Sequence, residues 1–155
     1  MCEIYFDESL ILKDVNVNNR EELLKIMAIN LFEKGLVKES FIEAVIEREK
    51  NSATGLPTNG VSVAIPHTDS EHVNKNAISV AILKEPVKFG VMGERSAETP
   101  VQIVFMLAIN KEDSHLVLLQ KLMGIFQNKE ELQFLMSEEN RTNIKNRLAN
   151  NLQIL

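Results

Sequence analysis

The three histidines, His67, His72 and His115, are the side chains of this 155-residue sequence best suited to chemistry near neutral pH. An imidazole is the one side chain whose ordinary pKa lies between pH 5 and 8, and its neutral form is a nucleophile. The stretch GVSVAIPHTDSEHV, residues 60–73, holds two of them. Its short apolar alternation runs into Pro66, which has a fixed φ and no N–H and so fits the end of a strand better than its middle. His67 follows at once, which places it at the rim of a sheet, where reactive groups are usually presented. Two readings stay open at this point, a nucleophile and a hydrogen-bonded loop histidine. His115 has another setting: Asp113 or Ser114 is expected to cap the helix that follows. The ring then lies at a helix N-terminus, where exposed N–H groups and the dipole attract anions and favour neutral imidazole. Arg48, near the end of an earlier helix, carries a permanent charge able to fork onto a phosphate. It reads equally as an exposed cation paired with Glu47 or Glu49.

Other chemistries find less support. His67 and His72 are five residues apart, about 140° around a helix and on opposite faces of a strand, unlike the i, i+4 pair of a helical zinc site. Only a loop would bring His67, His72, His115 and Asp69 together, and no metal is expected. No G-x-S-x-G is present, and the single cysteine, Cys2, is poorly placed for a nucleophile and has no partner for an internal disulfide. No G-x-x-x-x-G-K-[ST] is present either, so no nucleoside triphosphate is expected and Gly55 and Gly60 read as turn residues. A net charge of -5 argues against nucleic acid. No apolar run approaches the roughly 18 residues of a membrane span, and the acidic start MCEIYFDESL is not a signal peptide. A cytoplasmic protein is expected.

The elements that must position these groups are legible in outline. Ile4 to Leu12 reads as a short strand, a turn at Asp7–Ser9 and a further apolar pair. Asn18-Asn19 offers an N-cap to a helix carrying Leu23, Leu24, Met27, Leu31 and Phe32, which Gly35 stops. Ser40 and Glu43 suggest a capping box on a second helix, with Phe41, Ala44 and Val45 on one face and an end near Arg48–Lys50. NSATGLPTNG reads as a loop, and Val61, Val63 and Ile65 as a half-buried strand at period two. Ala77 to Leu83 and Val101 to Ile109 are β-rich runs separated by a Gly- and charge-rich stretch near Gly90–Pro100. Three helices follow: one opened by His115 with Leu118, Leu119, Leu122, Met123 and Phe126, one around Leu132–Met136, and one through Ile144, Leu148 and Leu152. Interleaved helices and strands in one compact unit, 1–155, give the class α/β or α+β with a mixed sheet.

The composite IEREKNSATGLPTNGVSVAIPHTDSEHV is similar to the signature region of the type-2 IIA domains of the bacterial phosphoenolpyruvate-dependent sugar phosphotransferase system (PTS). That group covers the fructose, mannitol, galactitol and nitrogen-regulatory types. The matching pieces are Arg48 at a helix end, the Thr54-Gly55 loop, the strand Val61–Ile65 and Pro66-His67, and SHLVLLQKLMGIF resembles the segment of the second histidine, through His115. The resemblance spans nearly the whole chain. It implies an α/β sandwich, a mixed sheet flanked by helices, and a phosphotransferase that acts as a phosphocarrier. His67 would accept a phosphoryl group from the general carrier protein HPr and pass it to a cysteine of a IIB component. Arg48 and His115 would stabilise charge, with N–H groups around Thr54 and Gly55 as helpers. No cofactor, metal or nucleic acid is implied, and a membrane IIC component only indirectly. The PHTDSEH spacing resembles the galactitol type more than the mannitol type, so a galactitol or fructose-like sugar is expected. The alternatives are a regulatory IIA phosphoprotein and, from another class, a small histidine-based metal-dependent hydrolase.

Overall fold

The computed structural model describes residues 4–58, 60–110 and 112–154, with side chains for all of these except 112–114. Strand β1 (Ile11–Val15) follows a 3-10 turn at Glu8–Leu10. Helix α1 (Arg20–Glu33) starts as its sequence predicts: Asn19 Oδ1 accepts the Glu22 N–H at 2.9 Å, and Glu21 and Glu22 occupy the first turn. Gly35, with φ of 73°, lets the chain leave through the left-handed region. Leu23, Leu24, Met27 and Leu31 are buried, while Phe32 is part-exposed.

Helix α2 (Ser40–Asn51) departs from expectation at its start, where no side chain caps it. The Ser40 hydroxyl is engaged instead with His72 Nδ1 at 2.8 Å, so no capping box forms and His72 is held against the start of α2. The expected loop 51–60 contains a two-residue strand, β2 (Gly55–Leu56). Strand β3 (Ser62–Ala64) is buried on both faces rather than half-buried, and Ile65 is buried with it. Small residues at 62 and 64 therefore reflect close cover, not exposure to water. Strands β4 (Ala77–Val91) and β5 (Glu94–Ala108) are longer than the apolar runs suggest and form one hairpin that turns at Met92-Gly93. Residues 77–83 and 103–108 are buried throughout, while residues 84–86, at a register break in mid-β4, and 94–96, next to the turn, are exposed. Apolar patterning marks only the covered half of such a strand.

Helices α3 (Glu112–Phe126), α4 (Lys129–Ser137) and α5 (Arg141–Leu152) complete the chain. Asn128 and Asn140 cap the last two by accepting backbone N–H groups. The mixed five-stranded sheet pairs β1 with β4 in parallel, β4 with β5 antiparallel, β5 with β3 in parallel, and β3 with β2 antiparallel. Gly55 of β2 also meets Val91 at the outer end of β4, so strands β2–β5 form a closed circuit there. A Cβ on Gly55 would collide with the Gly90 carbonyl oxygen, which makes glycine obligatory at this crossing. One apolar core joins all the helices to the sheet, with Phe41, Phe89 and Phe105 fully buried. Each such ring is worth up to about 3 kcal/mol of burial. This is the α/β arrangement, a mixed sheet with flanking helices, that the sequence implies.

Candidate functional site

Strands β3 and β5 run in the same direction, so their carboxyl ends lie side by side, and in α/β sheets that edge is where ligand sites form. His67 comes three residues after β3, and the Leu107 N–H donates to Pro66 O at 2.9 Å, extending the pairing to the last residue before the histidine. Beyond the end of β5 the chain enters α3, whose first turn carries His115. The helix begins at Glu112, upstream of the caps expected at Asp113 or Ser114, whose side chains lie outside the described residues. The last turn of α2 brings Arg48 to the same edge. A cleft of about 340 Å³ opens there, lined by Arg48, His67, Thr68, Asp69, Ser70, Glu71, Ile109 and His115.

The geometry at His67 fixes its proton. Nδ1 lies 2.8 Å from the Ile65 carbonyl oxygen. A carbonyl only accepts, so Nδ1 carries the hydrogen and Nε2 keeps its lone pair. The His115 ring stands edge-on to His67, with centroids 4.8 Å apart and an interplanar angle of 81°. Burial lowers the pKa of both rings from the ordinary imidazole value. For His67 the Arg48 charge lowers it further, against the opposing Ile65 hydrogen bond and the Asp69 charge. For His115 the His67 ring and Arg48 add to the lowering. Both rings are therefore neutral at pH 7, the form His67 needs to act as a nucleophile.

Arg48 Nη1 lies 3.7 Å from Asp69 Oδ1. Arg48 Nε and His115 Nε2 are buried and have no hydrogen-bond partner among the described residues. Buried polar nitrogens are nearly always satisfied, and two orphans beside one free imidazole lone pair point to an anion that completes them.

Three of the residues singled out in the sequence thus meet at one cleft. Thr54 and Gly55 do not reach it. The Thr54 N–H and hydroxyl both donate to the Glu49 carboxylate, each at 2.8 Å, and Gly55 is paired within the sheet. Their N–H groups are spent on the scaffold, so the expected phosphate-loop role has no geometric basis. His72 is part of a 3-10 turn (Ser70–His72) against α2, outside the cleft lining.

Sequence reading gave two carboxylates other roles than the structure does. Asp69 is the ion-pair partner of Arg48, whereas the sequence suggests Glu47 or Glu49. Glu49 is buried, and burial pushes its carboxyl up from the ordinary value while the two Thr54 hydrogen bonds oppose the rise. Its signal was present: Phe41, Val45 and Glu49 fall at i, i+4 and i+8, which puts a charge on the core stripe of α2.

Comparison with known proteins agrees with this fold. Residues 4–151 match the family model described as phosphoenolpyruvate-dependent sugar phosphotransferase system, EIIA 2. The chain belongs to this family; it is a phosphotransferase component of the kind that acts through a phosphohistidine. It is 36% identical over 104 residues to the transcriptional regulator ManR of Bacillus subtilis, a match that covers 67% of this chain and 14% of that protein. It is 28% identical over 131 residues to the mannitol-specific phosphotransferase enzyme IIA component of Bacillus subtilis, covering 83% of this chain and 85% of that one. Its fold matches the solved Escherichia coli complex of mannitol enzyme IIA with phosphorylated enzyme IIB, with a TM-score of 0.75, 19% identity, and coverage of 97% and 98%. Among the described residues no helix is long and apolar enough to cross a membrane.

Proposed function

We propose that the chain, as one EIIA domain over 1–155, is a cytoplasmic phosphocarrier whose phosphorylated residue is His67. The observation that carries this is the free Nε2 lone pair of His67 in a cleft where two buried nitrogens, Arg48 Nε and His115 Nε2, lack partners among the described residues. In the first step the Nε2 lone pair forms a bond to the phosphorus of a phosphohistidine on HPr. The donor's N–P bond breaks, and its electron pair returns to the donor nitrogen. The Arg48 guanidinium and the His115 ring face the charge spread over the three phosphoryl oxygens, the quantity that positioning and electrostatics must stabilise in such a transfer. In the second step a cysteine thiolate of a IIB component forms the S–P bond, and the Nε2–P pair returns to His67. His67 keeps its Nδ1–H throughout. The acceptor assignment is supported by the IIB partner in the solved mannitol complex. The membrane IIC component takes part only through IIB.

For the sugar we propose a hexitol or fructose-like substrate. The mannitol-specific relative supports a hexitol, and the Pro66–His72 spacing favours galactitol within that class. A regulatory role is the second reading, favoured by the similarity to a transcriptional regulator. The metal-dependent hydrolase has no such support: among the described residues no three His, Cys, Asp or Glu side chains are placed to hold a metal ion together.

The test is intact-mass spectrometry at neutral to mildly alkaline pH after incubation with phosphoenolpyruvate, enzyme I and HPr. One phosphoryl mass gained by the wild type and not by His67→Gln is expected. No gain with HPr of the same organism would discard the reading.

A further inference from the structure

A chain of hydrogen bonds runs from α2 under the sheet edge to the back of the His67 ring. Glu49, one residue after Arg48, is only 4% exposed. Its two oxygens clasp Thr54: Oε2 accepts the Thr54 N–H and Oε1 accepts the hydroxyl, both at 2.8 Å. With its proton committed to Glu49, Thr54 Oγ1 can only accept on its other side, and there the Ile65 N–H donates at 3.2 Å. The next carbonyl, Ile65 O, takes the Nδ1–H of His67. Pro66 has no N–H, so its peptide unit has only the Ile65 oxygen as a polar handle. That unit is clamped between two anchors, Ile65 N–H on Thr54 and Pro66 O on Leu107 N–H.

We propose that Glu49 and Thr54 are positioning residues for His67: by fixing the Ile65 carbonyl they select the tautomer in which Nε2 is free to receive the phosphoryl group. This rests on the reading of His67 as the phosphorylated residue, but the property it concerns belongs to the unphosphorylated protein. A carboxylate is required at 49 because only a group that accepts twice fixes the direction of the hydroxyl. An amide offers one acceptor and turns its N–H₂ toward Thr54, which leaves the hydroxyl proton unplaced. The last turn of α2 then does two things at once, presenting the Arg48 charge to the front of the site and bracing its back through Glu49.

The tautomer is read directly by ¹⁵N NMR of the imidazole nitrogens at pH 7.5, with no donor or partner present. Wild type and Thr54→Ser are expected to show Nδ1–H with an unprotonated Nε2. Glu49→Gln and Thr54→Val, both nearly isosteric, are expected to raise the Nε2–H form of His67 to a tenth of the population or more. They should also slow phosphorylation of His67 at least fivefold while keeping a cooperative thermal transition. Unchanged tautomers in both folded variants, or an Nε2–H ring in the wild type, would overturn the proposal. Should both variants lose the cooperative transition, Glu49→Asp, which keeps the charge and shortens the reach, decides by the same measurement. Absence of phosphorylation in the wild type would count against the reading of His67 and leave the tautomer result standing.

Discussion

Replacing Arg48 by glutamine tests the electrostatics of the cleft most directly. The substitution removes a permanent charge and keeps a donor of similar reach, so the loss reports charge rather than shape. One unit of phosphoryl charge about 4 Å from the guanidinium interacts by about 1 kcal/mol in water and about 4 kcal/mol at an effective permittivity of ~20. Arg48 lies between these limits: its side chain is 41% exposed, yet Nε is buried and has no partner among the described residues. In the resting state the guanidinium faces Asp69 at 3.7 Å across solvent-exposed surface, a pair worth no more than about 1 kcal/mol to give up. A net loss of about 2–3 kcal/mol in the transition state is expected, at or just below the roughly 2.7–4 kcal/mol found for removing one oxyanion-hole donor. That corresponds to transfer slowed roughly 30- to 160-fold. Rapid-quench kinetics with phosphorylated HPr would measure it, with a thermal melt to confirm the fold. Arg48→Lys, which restores the charge without the planar fork, is expected to recover part of the loss. A rate for Arg48→Gln within twofold of wild type would show that the guanidinium does not face the transferred group.

Three further outcomes are expected. His67→Gln should fold as wild type, because the residue sits at the sheet rim, and should gain no phosphoryl mass; labelling at normal stoichiometry would refute the assignment. Burial lowers the pKa of His67 and His115, so the unfolded chain, with imidazoles near 6.5, binds more protons than the native state just below that pH. The stability from keeping the rings neutral is therefore present above about pH 6.5 and lost as pH falls below it, and urea midpoints between pH 7.5 and 5.5 should drop less in His67→Gln than in wild type. Parallel curves would contradict the lowered pKa of His67. Gly55→Ala would press a methyl group into the Gly90 carbonyl and to 3.2 Å from Thr99 Cγ2. Overpacking of this kind costs about 1–3 kcal/mol, or roughly 2–4 °C in Tm for each kcal/mol. A melt within a degree of wild type would show that the crossing yields.

Elements whose signals are local were legible in the sequence. Asn19 and Gly35 bound α1 because a cap side chain and a left-handed exit are properties of one or two residues. The Pro66-His67 step ends a strand for the same kind of reason. What was illegible depends on partners far away in the chain. Ser40 looks like a capping residue until His72, 32 residues on, takes its hydroxyl. The alternation of Val61, Val63 and Ile65 suggests one wet face, but β3 is built into the core and is buried on both faces. Thr54 and Gly55 sit in a stretch rich in turn residues, and only the closed circuit of strands shows that both serve the scaffold. The meeting of Arg48, His67 and His115 spans 67 positions, from 48 to 115, and periodicity carries no information at that range. The resemblance of the signature stretch supplied it instead.

The hydrogen bond from His67 Nδ1 to the Ile65 oxygen also has a consequence for traffic with the solvent. On the proposed reading a phosphoryl group enters and leaves through the opposite nitrogen, so each transfer would exchange one N–P bond for another bond to phosphorus while the ring's own proton stays in place. Loading and unloading need no buffer, no water wire and no acid or base elsewhere in the chain. A turnover run in heavy water should keep its rate, and the direction of flow is left to the relative abundance of charged donor and empty acceptor.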